Sequence, residues 1–190
     1  MLFLLLAAEC VTILKVGRFM TPHFFIGMLL LGPVTLKAGS TIYRFCRYYS
    51  GSAPYLRRGP PELMMRILGP FVIASTVGVF GSGIALAVVG PGSAKSMWMF
   101  LHKASFALWL CVVTVHVLVY LPRLPVLIAA EFGHAPGQHS ARRAGARLGR
   151  RLGGRAARIW LLIASLAGGL VIAMLTMHLA TPWQHAHPAH

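Results

Sequence analysis

Four side chains in this sequence of 190 residues combine a ligating atom with a repeated interval. His102 and His116 lie 14 residues apart in WMFLHKASFALWLCVVTVHVLVYL, an apolar run from Trp98 to Leu121. At about 100° and 1.5 Å per residue, that interval brings the second imidazole to within roughly 40° of the first, about 21 Å further along one helix. His23 and Lys37 repeat the interval of 14 in HFFIGMLLLGPVTLK. A neutral imidazole is a metal ligand, and so is an amine whose pKa has been lowered by burial. Ionisable groups in an apolar helix are costly to hold in lipid and mark functional sites by default. Two planar cofactors stacked across a membrane would need ligands placed this way.

The elements that must carry these residues follow from composition. Hydrophobic residues make up 57% of the chain, and its mean hydropathy is +0.71. Five apolar runs alternate with polar or basic stretches, which specifies an all-α integral membrane protein in a single domain, residues 1–190. The expected spans cover about residues 1–20, 22–38, 67–90, 97–121 and 158–181, the last four forming an up-and-down bundle. The basic stretches 38–66 and 122–157 then share one side, and the tail 182–190 lies on the other.

The formal charge of +15 comes from 18 Lys and Arg against three acids. Six of those cations lie between Lys37 and Arg66 and eight between Arg123 and Arg158, leaving only Lys15, Arg18, Lys95 and Lys103 for the opposite side. That bias follows the positive-inside rule, so the basic stretches are expected in the cytoplasm of a multi-pass plasma-membrane protein. The N-terminus is then cytoplasmic and the C-terminus extracytoplasmic. The partner implied is the lipid bilayer with its anionic headgroups, not nucleic acid. Cys10, Cys46 and Cys111 form no C-x-x-C pair, which argues against a zinc site or a disulfide framework. No C-x-x-C-H occurs, so any haem would be held non-covalently.

Along the chain, Pro22 suits the first turn of the second helix, and Pro33 is expected to kink it. His23, Gly27, Leu30, Val34 and Lys37 share a stripe at helical spacing. Gly27 removes bulk where a flat ligand would lie. Glu9 reads as a carboxyl hydrogen-bonded between helices, with a proton relay as the other reading. Arg44 and Arg47 read as interfacial anchors or as partners for a cofactor's propionates. The third span has no histidine but carries Ala74, Gly78, Gly81, Ser82 and Ala85, small residues that permit close packing of a helix or a macrocycle. Pro122 and Pro125 are expected to break the fourth helix. The loop that follows, with His134 and His139, reads as solvated and mobile. The tail, with His185, His187 and His190, reads as disordered or as a weak metal site.

The second and fourth spans run in the same direction. His23 and His102 therefore share the outer level, and Lys37 and His116 the inner one. A pair of imidazoles from facing helices suits bis-axial ligation of a haem iron. The free nitrogen of each ring needs a partner, for which Ser105 is the candidate beside His102. In these features residues 20–121 resemble membrane b-type cytochromes, the haem-bearing four-helix core of cytochrome b and of b561-like proteins. HFFIGMLLLGPVTLKAGSTIYRF and LHKASFALWLCVVTVHVL are similar to small actinobacterial membrane proteins of that kind.

The resemblance implies one or two haems b, with His23, His102 and His116 on iron; Lys37 reads either as a fourth ligand through a neutral amine or as a lysine reaching the cytoplasmic interface. It also implies electron transfer involving a quinone or an extracytoplasmic redox partner, and it is compatible with a homo- or hetero-oligomer. The departures are Lys37, where cytochrome b would carry histidine, and a third helix without one. His116 could instead face a quinone or serve as a core histidine, and His178 could replace His23. No nucleophile–base pair, phosphate-binding glycine loop or nucleotide fingerprint appears, so the chain reads as an electron-transfer component and not as a self-contained enzyme. The rival readings are a metal-ion-binding or transporting membrane protein that uses its histidines, and a structural or assembly subunit.

Overall fold

The first apolar run does not form one continuous helix. In the computed structural model, which describes residues 1–51, 63–121 and 141–186, Lys15 leaves the helical region at φ −140° and ψ 58° and ends α1 (Leu2–Leu14). α2 (Val16–Tyr49) begins at once and is interrupted at Phe19, at φ −111° and ψ 26°. Pro22 accounts for that second break, because it has no N–H to donate and its ring crowds the carbonyl four residues back, that of Arg18. The backbone stays helical through Pro33, where a kink was expected. α1 folds back along the start of α2. Its 13 residues reach about 20 Å, short of a hydrocarbon core of about 30 Å. The span expected over residues 1–20 is therefore a short helix, a turn and the first turn of α2.

Among the described residues four helices are long and apolar enough to cross a membrane: Val16–Tyr49, Arg66–Val89, Lys95–Val119 and Ala156–Leu179. They belong to α2, α3 (Leu63–Val89), α4 (Lys95–Tyr120) and α5 (Ala141–Thr176), the last continued by a 3-10 turn, Met177–Leu179. Two helices extend well into the expected loops. The 34 residues of α2 reach about 51 Å and are followed, after the cap Ser50, by Gly51, whose φ of +77° suits a residue without a Cβ. α5 starts at Ala141 instead of near residue 158. The tail also contains a short helix, α6 (Thr181–Ala186), where disorder was expected. Residues 52–62, 122–140 and 187–190, with Pro122, Pro125, His134, His139, His187 and His190, lie outside the described residues.

Apolar side chains cover the outside: Phe71, Phe100, Leu108, Leu118, Trp160 and Leu175 are all exposed. This is the pattern of a multi-pass protein whose exterior contacts lipid.

The four long helices pack as two pairs, α2 with α5 and α3 with α4. Glycine sets the first pair. A Cβ on Gly32 would collide with the Ser165 carbonyl, and one on Gly169 with the Leu29 carbonyl. The Leu29 carbonyl is also the group that Pro33, lacking an N–H, cannot bond. Backbone approach of this kind is how small residues hold membrane helices together. The second pair is joined by Trp109, whose Nε1 donates to Thr76 Oγ1 at 3.0 Å. α2 meets α3 only locally, and the Arg66 side chain closes one end by donating to the Tyr49 hydroxyl at 2.9 Å. Between the pairs the chain leaves a cavity of about 1200 Å³.

Candidate functional site

His23 and His102, from α2 and α4, meet edge-to-face at this cavity, their ring centres 6.3 Å apart and their planes at 65°. Both line it, together with Phe24, Met28, Leu30, Phe80, Ile84, Met99 and Phe106. The His23 ring is held by α1. Its Nδ1 lies 2.8 Å from Glu9 Oε1 and 3.2 Å from Thr12 Oγ1. The His102 ring is held by α3, with Nδ1 3.2 Å from Ser82 Oγ.

These partners define the tautomers. A hydroxyl has one proton to donate, and Ser82 is placed to donate its own to the Gly78 carbonyl at 2.7 Å. Its oxygen then accepts from Nδ1–H of His102. Thr12 likewise donates to the Glu9 carbonyl at 2.6 Å, and a carboxylate only accepts. With both rings neutral and Glu9 ionised, these contacts put the proton on Nδ1 and leave Nε2 its lone pair. Among the described residues Nε2 of His23 has no hydrogen-bond partner, and His102 also meets the Val79 backbone. A ring oriented through Nδ1 by a carboxylate or hydroxyl, with Nε2 left over, is how ligating histidines are prepared.

Two glycines make room for this arrangement. A Cβ on Gly83 would stand 3.0 Å from Cε1 of His102, and one on Gly27 3.3 Å from Glu9 Oε1. Gly27 was expected to clear space for a flat ligand. It lines the cavity, and its lack of a side chain is also what admits the Glu9 carboxylate. Glu9 itself is hydrogen-bonded between helices, the first of its two readings.

The donor set suits some groups better than others. A bare zinc ion would want four protein ligands, or three and a water. Among the described residues no group of three or more His, Cys, Asp and Glu is placed to hold a metal ion. Two imidazoles beside a large apolar space fit a macrocycle that brings its own equatorial nitrogens.

The other expected residues lie elsewhere. Ser105 faces Gly78 in a small groove of about 210 Å³ between α3 and α4, and Ser82 stands at Nδ1 of His102 in its place. His116 is half-buried and outside the cavity lining. Lys37 is exposed, as are Arg44 and Arg47 on the far extension of α2, and none of the three lines the cavity. The stripe of α2 thus divides: His23, Gly27 and Leu30 reach the cavity, and Val34 and Lys37 do not. His178 is exposed, its Nδ1 2.9 Å from the Leu175 carbonyl, and it is also absent from the lining. The tail contributes Trp183, which is 4% exposed and lines the cavity. Gln184 anchors it by donating to Thr21 Oγ1 at 2.7 Å.

Sequence reasoning missed Thr12, Gly83, the role of Ser82, and Trp183. Ser82 was visible as part of a small-residue stripe, but spacing does not say which residue will face a histidine on another helix. No protein-family model, curated protein or solved structure matches the chain.

Proposed function

We propose that this chain is a membrane b-type cytochrome that holds a haem b between His23 and His102 and passes electrons between a membrane donor, such as a quinone, and an extracytoplasmic redox partner. One observation carries the reading. Two imidazoles from facing helices, each oriented through Nδ1, line an apolar cavity with their ring centres 6.3 Å apart. The bound group would supply one-electron exchange at iron.

The chain's own residues would do the rest. His23 and His102 would hold the group through their imidazoles, and the group would supply one-electron exchange, not chemistry on a bound molecule. Glu9, Thr12 and Ser82 fix the ring orientations and raise the basicity of the ligating nitrogens. Phe80, Ile84, Phe106 and Met28 keep water out and lower the local dielectric. The basic stretches on one side orient the His23 end away from the cytoplasm.

The experiment is a dithionite-reduced minus oxidised spectrum of the detergent-purified protein, with a pyridine haemochrome assay for haem per chain. The expected result is a b-type α-band that is lost in both His23→Ala and His102→Ala. Purification without haem from cells supplied with its precursor would overturn the proposal. Zinc or copper retained in its place would turn it toward the metal-binding reading.

A further inference from the structure

Arg18 and Lys103 line the same cavity as His23 and His102. One stands five residues before His23, in the turn of α2 set off by the break at Phe19, and the other directly follows His102. Neither cation has a hydrogen bond, an ion pair or an aromatic partner among the described residues. The other nearby cations differ. Lys95 lies over the Trp183 ring at 5.3 Å, and Lys15 does not line the cavity.

The chain has only three acids, Glu9, Glu62 and Glu131. Glu9, the one acid among the described residues, lines the cavity and already bonds His23. An apolar cavity with two unpaired cations in its wall suits an occupant that is apolar in body and anionic at an edge. Its own negative charge would supply what the chain lacks.

We infer that Arg18 and Lys103 receive the carboxylates of the macrocycle and so fix which edge of it lies between them. This rests on the haem reading and adds the anionic half of the site. It also replaces Arg44 and Arg47 as the propionate partners, since both lie on the far extension of α2.

The test compares iron protoporphyrin IX with its dimethyl ester, which has the same ring and iron but no carboxylates. Each is titrated at low salt into detergent-solubilised protein purified from haem-depleted cells, and binding is read from the Soret band. The wild-type chain is expected to prefer the diacid, by about two- to five-fold for each cation at these exposed positions. In Arg18→Gln/Lys103→Gln the preference falls to about one while affinity for the ester is unchanged, which also shows that the variant is folded. Lys95→Gln keeps the preference. Each single variant is expected to lose part of it, so the inference stays open to refutation if the double variant does not fold. An equal preference in the wild type and the double variant would overturn the inference and leave the haem reading intact. Failure of the wild type to bind either compound would overturn both.

Discussion

Glu9→Gln should raise the reduction potential of the centre without removing its cofactor. The substitution keeps the shape of the side chain and an oxygen able to accept from Nδ1 of His23, and it deletes the negative charge. With 2.8 Å between carboxylate and ring nitrogen, and half of the 6.3 Å between ring centres beyond that ring, the charge stands roughly 7 Å from the midpoint of the two imidazoles. At an effective dielectric constant of about 20, a unit charge at that range is worth about 2 kcal/mol. A nearby anion stabilises ferric iron over ferrous, so its loss favours reduction. Converted at about 59 mV per tenfold change for one electron, the shift is on the order of 50 to 100 mV upward. The assay is a spectroelectrochemical titration of the α-band in nanodiscs, with haem content measured on the same samples. An unchanged potential with haem fully retained would refute the reasoning, because it would mean that the Glu9 charge does not act on the ligand ring.

Further outcomes follow from the packing. His116→Ala and Lys37→Ala should each retain the haem held by His23 and His102, as measured by pyridine haemochrome, because neither residue lines that cavity. Gly83→Val should lower haem retention and broaden the α-band by pushing on Cε1 of His102, at a cost of about 1–3 kcal/mol for overpacking. Gly32→Leu should separate α2 from α5, seen as a lower midpoint in thermal unfolding followed by helical circular dichroism. Its cost should be at least about 1–3 kcal/mol, since the obstacle is the Ser165 carbonyl and not a movable side chain. Trp109→Phe removes the bond to Thr76 and should destabilise by only about 0.6 kcal/mol, the average for polar contacts between membrane helices.

Much of this arrangement was legible in the sequence because membrane helices announce themselves. Apolar runs of about 20 residues, and the spacing within them, placed His23 and His102 on facing helices. What was not legible depended on where one helix meets another. The histidine-free α3 reads as mere packing until Ser82 and Gly83 are seen at His102. The apolar run that begins the chain reads as a span, and nothing in its hydropathy says that Lys15 turns it back to bring Glu9 and Thr12 to His23. The helix ends were misjudged for a related reason. Basic residues were taken to mark loops, but Arg and Lys are good helix formers, and both α2 and α5 continue through them.

The two histidine levels are not equivalent, although the interval of 14 residues suggests that they are. Around His23 and His102 each neighbouring element contributes a contact: α1 the carboxylate, α3 the hydroxyl and the glycine, and α6 a tryptophan that lines the cavity. His116 shares its level with Lys37, which is exposed, and α1 is too short to bring a carboxylate there. The small-residue stripe of α3 extends toward that level but faces α4 itself, where Gly78 admits Ser105. A repeated interval on a helix reproduces direction and depth, whereas a ligand site also needs partners for its second nitrogens and space for the group between its rings. His23 and His102 line the large cavity and His116 does not, and the haem is proposed for their level on that ground. A second ligand at the other level would have to reach His116 from beyond the cavity.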